Sequence, residues 1–166
     1  MTANVASTAA KGIPITVTIG EPAPPFELYD QNLNLVSLES LAGAKALVVF
    51  IPSPFTATCD AESCTIRDNL GSLSTLGAGV VVITTHAVTT NARWADENGF
   101  DFPVLSDYWP HGEVARAYET FSEKGGVAYR STFVLDEQGV VRDKVATSSI
   151  GLAREFDAYT AALAAF

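Results

Sequence analysis

The feature that most restricts the fold is a nearly uninterrupted apolar run over residues 44–51, which ends at Pro52 and Pro54. A second apolar run covers 80–83 and continues into Thr84 and Thr85, which predicts a strand over 80–85. Strands that are buried on both faces have continuous apolar runs, whereas strands with one solvated face alternate apolar and polar residues. The two runs therefore predict central strands in a sheet that helices cover on both sides.

Helical and strand patterns alternate along the rest of the chain. Predicted helices cover 58–75, 91–98 and 113–121, and a last helix carries Leu152, Phe156, Tyr159 and Leu163. Predicted strands cover 102–105 and a hairpin of 129–136 and 140–144, after an N-terminal strand at 15–19, a hairpin turning at 30–32 and a short helix near 38–43. This order predicts an α/β, thioredoxin-like fold, in which helices flank a central mixed sheet with an N-terminal β extension.

The composition indicates one folded domain. The 166 residues are 48% apolar and 17% charged, which is typical of a globular chain with one sizeable core. We expect a flexible tail over 1–12 and a single domain over 13–166. No window approaches the roughly 20 apolar residues of a membrane helix, and 1–12 lacks the apolar core of a secretory signal. Cytoplasmic localisation is therefore expected, and the net charge of −9 disfavours nucleic acid and anionic membranes as partners.

Cys59 and Cys64, the only cysteines of the chain, follow the first apolar run and its prolines. A strand that leads through a proline-broken turn into a helix places Cys59 near the helix N-terminus. Unpaired N–H groups and the helix dipole favour an anion there, which is one way to make a reactive thiolate. The net charge of −9 opposes a thiolate, so a reactive cysteine in this chain needs a nearby cation.

The role expected of two closely spaced cysteines depends on the redox state of the compartment. In a reducing compartment they are more often catalytic or metal-binding than structural. A metal site that joins them to His86 and His111 is disfavoured, because the separations are long and no Cys-x-x-Cys motif is present. Burial as an inert thiol is the plain alternative for either cysteine.

Four segments, in the expected order, resemble motifs of the peroxiredoxins. The segment 52–59, Pro-Ser-Pro-Phe-Thr-Ala-Thr-Cys, matches their Pro-x-x-x-Thr-x-x-Cys motif. The segments 20–26, 102–107 and 130–136 resemble the entry motif, the mid-domain motif and the strand that delivers the active-site arginine. Phe55 and the segment 109–112 resemble the alkyl hydroperoxide reductase E type, whereas Cys64 stands where Q-type, bacterioferritin-comigratory members carry a resolving cysteine.

The resemblance implies a role for each matching residue. Cys59 would be the nucleophile that attacks one peroxide oxygen, and Arg130 would hold the thiolate and the peroxide with its fork of donors. Thr56, three residues before Cys59, would direct its hydroxyl to the sulfur and the peroxide. Pro52 would shape the loop and shield it from water. In supporting roles, Glu62 would orient Arg130 through a carboxylate pair, and Cys64 would be the resolving cysteine.

The resemblance also implies the activity: a thiol-dependent peroxidase that reduces hydrogen peroxide, alkyl hydroperoxides or peroxynitrite without metal, haem or flavin. Cys64 would condense with the sulfenic acid of Cys59, and an external thiol donor, whether thioredoxin, a glutaredoxin-like protein or a low-molecular-weight thiol, would reduce the disulfide. A homodimer around the loops at Phe55 and Trp109 is expected. The alternative is a thiol-based redox sensor or redox-regulated chaperone, while a general disulfide reductase is disfavoured, because such proteins use Cys-x-x-Cys.

The spacing of the cysteines has a structural consequence. If both lie on one regular helix, their Cα atoms are roughly 8 to 9 Å apart. A disulfide requires less than about 7 Å. Formation of the bond must therefore unwind the first turns of the helix, near 56–66.

Overall fold

The computed structural model describes residues 17–166, and its central element is a five-stranded sheet. The strands are β1 Glu27–Tyr29, β2 Leu35–Ser37, β3 Lys45–Phe50, β4 Ala78–Thr84, β5 Val104–Ser106, β6 Phe121–Ser122, β7 Val127–Ala128, β8 Ser131–Leu135 and β9 Val141–Ala146. The helices are α1 Ala57–Asp68, α2 Leu70–Thr75, α3 Val88–Asn98, α4 Glu113–Ala117 and α5 Phe156–Ala164, with a 3-10 turn at Glu39–Leu41.

The central sheet has the strand order β5-β4-β3-β8-β9. β3, β4 and β5 are parallel to one another, whereas β8 is antiparallel to β3 and β9 is antiparallel to β8. β1 and β2 form a separate antiparallel hairpin, and so do β6 and β7. This mixed sheet with an N-terminal β hairpin confirms the predicted fold class.

The side chains of β3 alternate between two hydrophobic cores, one on each face of the sheet. Leu47 and Val49 pack with helix residues such as Trp94 of α3, in a core that also receives α1, α2 and α5. Val48 and Phe50 pack on the opposite face, against α4 and the segment after it. Every β3 residue from 46 to 50 is buried, which explains why this strand has no polar alternation.

The pairing of β3 with β8 determines the position of the functional residues. Phe50, at the end of β3, pairs with Ser131, at the beginning of β8. The loop that follows β3 and the residue that precedes β8 are therefore neighbours in space, although about eighty positions separate them. This places the Pro52–Cys59 segment beside Arg130.

Several predicted elements differ from the observed ones. The single helix predicted over 58–75 is interrupted at Asn69, whose φ and ψ of −121° and 21° are not helical. The helix predicted over 113–121 ends at Ala117, and the small hairpin of β6 and β7 follows, where the sequence indicated only a break at 125–126. Leu152 lies before α5 and is exposed, because its helix begins at Phe156.

The N-terminal predictions are only partly described. Residues 15 and 16 of the predicted strand 15–19 lie outside the described residues, as does the predicted tail 1–12, and 17–19 are not in a strand. The predicted short helix at 38–43 is the 3-10 turn. Within 17–166, none of the helices has the length and apolar character needed to span a membrane.

Candidate active site

The loop after β3 brings Cys59 into the first turn of α1. Thr56 is the residue at the helix N-cap, with extended φ and ψ of −111° and 148°, and α1 begins at Ala57. Phe55 has a left-handed φ of 66°, an uncommon value for a residue other than glycine. Pro52 and Pro54 are buried, and Cys59 is fully buried. Its sulfur therefore lies at the positive end of the helix, away from bulk water.

Arg130 contacts the sulfur directly. Its Nη1 donates to Cys59 Sγ at 3.2 Å and to Glu62 Oε1 at 2.7 Å. The Nε group donates to the carbonyl oxygen of Ile150, which fixes the plane of the guanidinium. Arg130 is only 3% exposed. The structure thus brings together three predicted residues, and it places the cation that a thiolate needs against the sulfur.

A second buried arginine, Arg154, completes the cluster, although it belongs to none of the motifs identified in the sequence. Its Nη2 donates to Glu62 Oε1 at 2.8 Å, and its Nε and backbone N–H donate to Oε2 at 3.0 and 2.6 Å. Its Nη1 donates to Phe50 O at 2.8 Å and to Thr132 Oγ1 at 3.0 Å. Arg154 therefore ties the segment before α5 to both α1 and the central sheet. We name Cys59, Glu62, Arg130 and Arg154 the charged cluster.

The ionisation of Glu62 follows from these contacts. Burial alone raises the pKa of Glu62, but hydrogen bonds and positive charge from Arg154, with a further contribution from Arg130, hold the pKa below its ordinary value. Glu62 is therefore a carboxylate at neutral pH. Two guanidinium groups and one carboxylate leave the cluster with one positive charge before the thiol ionises. A thiolate at Cys59 makes the cluster neutral.

The hydroxyl of Thr56 does not make the expected helix-capping contact. It donates to the carbonyl oxygen of Ser53 at 2.9 Å, and α1 has no side-chain hydrogen bond at its N-cap. Thr56 is exposed. Its position at the start of α1 agrees with the motif, but in this structure its hydroxyl closes the loop and makes no hydrogen bond with the sulfur.

Cys64 lies on the same helix in a different environment. It is half-buried, and its thiol donates to Asn98 Oδ1 of α3 at 3.6 Å. Asn98 is itself held by Nδ2 donating to Trp94 O at 2.9 Å, and its carbonyl accepts from Arg67 Nη1 at 2.6 Å. Both cysteines are free thiols. Because one continuous helix separates them, the structure is that of the reduced protein with an intact α1.

The hydrogen bonds of His86 and His111 involve neither cysteine. His86 Nε2 is 3.5 Å from Ser53 Oγ, and His111 Nε2 is 2.7 Å from the carbonyl oxygen of Gly126. Burial and the neighbouring His111 lower the pKa of His86. Among residues 17–166, no group of three or more His, Cys, Asp or Glu side chains is arranged to hold a metal ion.

Comparisons with known proteins decide the family. The model of the AhpC/TSA family matches residues 19–144. The chain belongs to the AhpC/TSA family. It is 42% identical over 127 residues to alkyl hydroperoxide reductase E of Mycobacterium tuberculosis H37Rv, covering 76% of this chain and 83% of that protein. It is 31% identical over 128 residues to peroxiredoxin Bcp of Escherichia coli K12, covering 74% and 81%.

A solved structure agrees with this assignment. The crystal structure of peroxidoxin BcpB from Mycobacterium tuberculosis is similar with a TM-score of 0.79 and 29% identity, over 90% of this chain and 98% of that chain. The predicted peroxiredoxin family, with relatives of both the reductase E and the Bcp types, is therefore confirmed. So is the predicted enzyme class, a thiol-dependent peroxidase of the AhpC/TSA family.

Proposed function

We propose that this AhpC/TSA-family protein reduces hydroperoxides with Cys59 as the peroxidatic nucleophile. The observation that carries the proposal is the 3.2 Å contact between Arg130 Nη1 and Cys59 Sγ in a fully buried setting. Arg130 supplies a cation beside the sulfur in a chain of net charge −9. Hydrogen peroxide, alkyl hydroperoxides and peroxynitrite are the substrates we propose, and no cofactor is needed for this chemistry.

The first step of the reaction takes place within the charged cluster. The thiolate of Cys59 attacks one peroxide oxygen, the O–O bond breaks, and the other oxygen leaves as hydroxide or alkoxide and takes up a proton. Cys59 then carries a sulfenic acid. Arg130 stabilises negative charge that moves from sulfur to the leaving oxygen, because its donors already face the sulfur. Glu62 and Arg154 hold Arg130 in this orientation.

Two residues of the loop serve the same step. Pro52 is buried between β3 and α1, where it fixes the path of the loop and limits access of water to the sulfur. Thr56 is exposed at the start of α1, and we propose that its hydroxyl leaves Ser53 O to contact an incoming peroxide. A hydroxyl that both donates and accepts suits a hydroperoxide, which also does both.

We propose that Cys64 resolves the sulfenic acid. Its thiol condenses with Cys59 to form a disulfide and water, and thioredoxin or a glutaredoxin-like protein then reduces the disulfide. On an intact α1 the two Cα atoms are roughly 8 to 9 Å apart, which is beyond the disulfide limit of about 7 Å. The first turns of α1 must therefore unwind before the bond forms.

The assembly and location are further parts of the proposal. Phe55, Tyr108 and Trp109 are exposed, and Trp109 is 82% exposed. Aromatic side chains of this kind are enriched in protein interfaces, so we propose a homodimer formed through these loops. Two free cysteines fit a reducing compartment, which supports a cytoplasmic protein. We propose a single domain over 13–166.

A peroxide-consumption assay with dithiothreitol as reductant tests the proposal. The wild-type protein should consume hydrogen peroxide over many turnovers, and mass spectrometry after one equivalent of peroxide should show a Cys59–Cys64 disulfide. The Cys64→Ser variant should retain the first turnover and carry an oxidised Cys59. A protein that is oxidised once but does not turn over with dithiothreitol would instead act as a redox sensor.

A further inference from the structure

The hydroxyl of Ser63 is an unusual feature of α1. Ser63 is fully buried, and among the described residues its Oγ has no hydrogen-bond partner. It lies four positions after Cys59 and directly before Cys64, on the face of α1 that also buries Cys59 and Ile66. The residue with the unpaired hydroxyl thus lies within the segment that must unwind when the two cysteines join.

An unpaired buried hydroxyl destabilises the state in which it is buried. It has lost its hydrogen bonds to water without gaining others, an effect worth about 5- to 150-fold in an equilibrium constant. Another hydroxyl of the same helix has no such cost, because Thr65 is exposed and its Oγ1 donates to Ala61 O at 2.9 Å. Buried polar groups without partners are few in folded proteins, so each one requires an explanation.

Unwinding of α1 removes this cost. When the first turns open, Ser63 becomes accessible to water and its hydroxyl regains hydrogen bonds. The intact helix is therefore less stable relative to the unwound state than it would be with an apolar residue at position 63. This is the equilibrium on which formation of the Cys59–Cys64 disulfide depends, since the intact helix holds the cysteines too far apart.

We propose that Ser63 is a positioning residue of the resolving step: its unpaired hydroxyl shifts α1 toward the unwound state in which Cys64 can contact Cys59. The inference rests on the proposed role of Cys64. The step that it assists is balanced without a further reactant, because the sulfenic acid and the thiol yield one disulfide and one water. Oxygen leaves Cys59 with the proton of its own hydroxyl and the proton of Cys64.

Overoxidation of Cys59 competes with disulfide formation, so its extent measures how readily α1 unwinds. A sulfenic acid that is not resolved reacts with a second peroxide to give a sulfinic acid and water or an alcohol. If unwinding is slower or rarer, more Cys59 is lost to the sulfinic acid at a given peroxide concentration. The ratio of disulfide to sulfinic acid therefore reports on Ser63 separately from the general stability of the protein.

The experiment compares Ser63→Ala with Thr65→Ala in a single turnover, followed by rapid quenching and mass spectrometry. Ser63→Ala should slow disulfide formation about tenfold, because the unpaired hydroxyl is gone. Thr65→Ala is the control. It also introduces alanine into α1, and the gain in helix propensity changes the unwinding equilibrium by about threefold at most, but it removes no buried hydroxyl. Ser63→Ala should also raise the sulfinic fraction and slow amide exchange over 57–66 in the reduced protein.

The outcomes distinguish a wrong role for Cys64 from a wrong role for Ser63. If the wild-type protein forms no Cys59–Cys64 disulfide, the proposed role of Cys64 is wrong and the inference about Ser63 is wrong with it. If the disulfide forms and Ser63→Ala matches Thr65→Ala in disulfide rate, sulfinic fraction and amide exchange, Cys64 keeps its role and only the inference about Ser63 is wrong.

Discussion

The two cysteines occupy the same helix, yet their surroundings differ in burial, in charge and in hydrogen bonding. Cys59 lies in the first turn of α1, fully buried, with a guanidinium nitrogen 3.2 Å from its sulfur. Cys64 lies more than one turn later, half-buried, with an amide oxygen 3.6 Å from its sulfur. A guanidinium donates to a thiolate, whereas an amide oxygen accepts from a thiol. Cys59 thus has a cation against its sulfur, whereas Cys64 has a neutral hydrogen-bond acceptor.

This difference supports the proposed order of the chemistry. In the proposed mechanism the thiol beside Arg130 attacks the peroxide, and the thiol bonded to Asn98 reacts after α1 opens. The charge of the environment comes from residues remote in sequence, Arg130 before β8 and Arg154 before α5. Position on a helix provides only part of the effect, since the helix dipole acts mainly on the first turn. The comparison can be tested by removing one partner at a time.

The largest effect is expected from the nucleophile itself. Cys59→Ser should abolish peroxide consumption, because a serine hydroxyl is not a nucleophile at neutral pH. Cys64→Ser should retain the first, single turnover and lose recycling by donors that need a disulfide. Stopped-flow measurements with one equivalent of hydrogen peroxide distinguish the two. Equal single-turnover rates for Cys59→Ser and the wild-type protein would reverse the assignment of the two cysteines.

Removal of the cation at Cys59 should have the next largest effect. Arg130→Met should slow the reaction with peroxide on the order of 10²-fold, the scale for the loss of one preorganised charged donor. Arg142→Met is the control, because Arg142 lies in β9 of the same sheet but is 45% exposed and pairs with Asp136. The control should change the rate less than about twofold. A comparable loss in both variants would show that Arg130 acts through the overall charge rather than at the sulfur.

Arg154 tests how much the site depends on a residue that contacts Glu62 but not the sulfur. Arg154→Met removes a buried partner of Glu62 and leaves Phe50 O and Thr132 Oγ1 without a donor. Loss of one partner of a buried ion pair costs about 3–5 kcal/mol, so the free energy of unfolding in urea should fall by about 3 kcal/mol. The peroxide rate should fall less than in Arg130→Met, because Arg154 does not contact the sulfur. A variant as stable as the wild-type protein would contradict this role.

The same cluster predicts a dependence of stability on pH. The folded protein holds the pKa of Glu62 below its ordinary value, despite the opposing effect of burial, because Arg154 and Arg130 favour the carboxylate. The stabilisation is therefore present above the unfolded pKa, about 4.3, and is lost as the pH falls through the lower folded value. When urea unfolding is measured from pH 6 to pH 3, the free energy of unfolding should fall less for Glu62→Gln than for the wild-type protein. Parallel curves for the two proteins would exclude this contribution.

The sequence predicted the parts of the site that depend on local pattern. The two apolar runs identified β3 and β4, and the proline turn located the start of α1 within one residue. Arg130 was found through its motif, and the pairing of Phe50 with Ser131 explains why that motif lies beside Cys59. The strands and the helix start follow from strand burial and from helix initiation, which a short window of sequence contains, whereas Arg130 follows from the resemblance to the peroxiredoxins.

Arg154 was not predicted, because nothing in its neighbourhood distinguishes it from a solvated loop residue. Its burial results from the docking of the α5 segment against α1 and the sheet, a long-range contact that no local pattern encodes. The interruption of the 58–75 helix at Asn69 was missed for a similar reason. Both halves have helical periodicity, and only the packing of α2 beside β4 shows the change of direction.

The smallest effect is expected where Cys64 meets α3. Asn98→Ala removes the acceptor of the Cys64 thiol and leaves that side chain free to rotate toward Cys59. A hydrogen bond of this kind contributes about 0.5–1.5 kcal/mol, so disulfide formation after one equivalent of peroxide should become about threefold faster. Glu97→Ala is the control, since Glu97 is the preceding residue of α3 and pairs with exposed Arg93. A slower rate in Asn98→Ala than in Glu97→Ala would mean that Asn98 presents Cys64 for the reaction instead of restraining it.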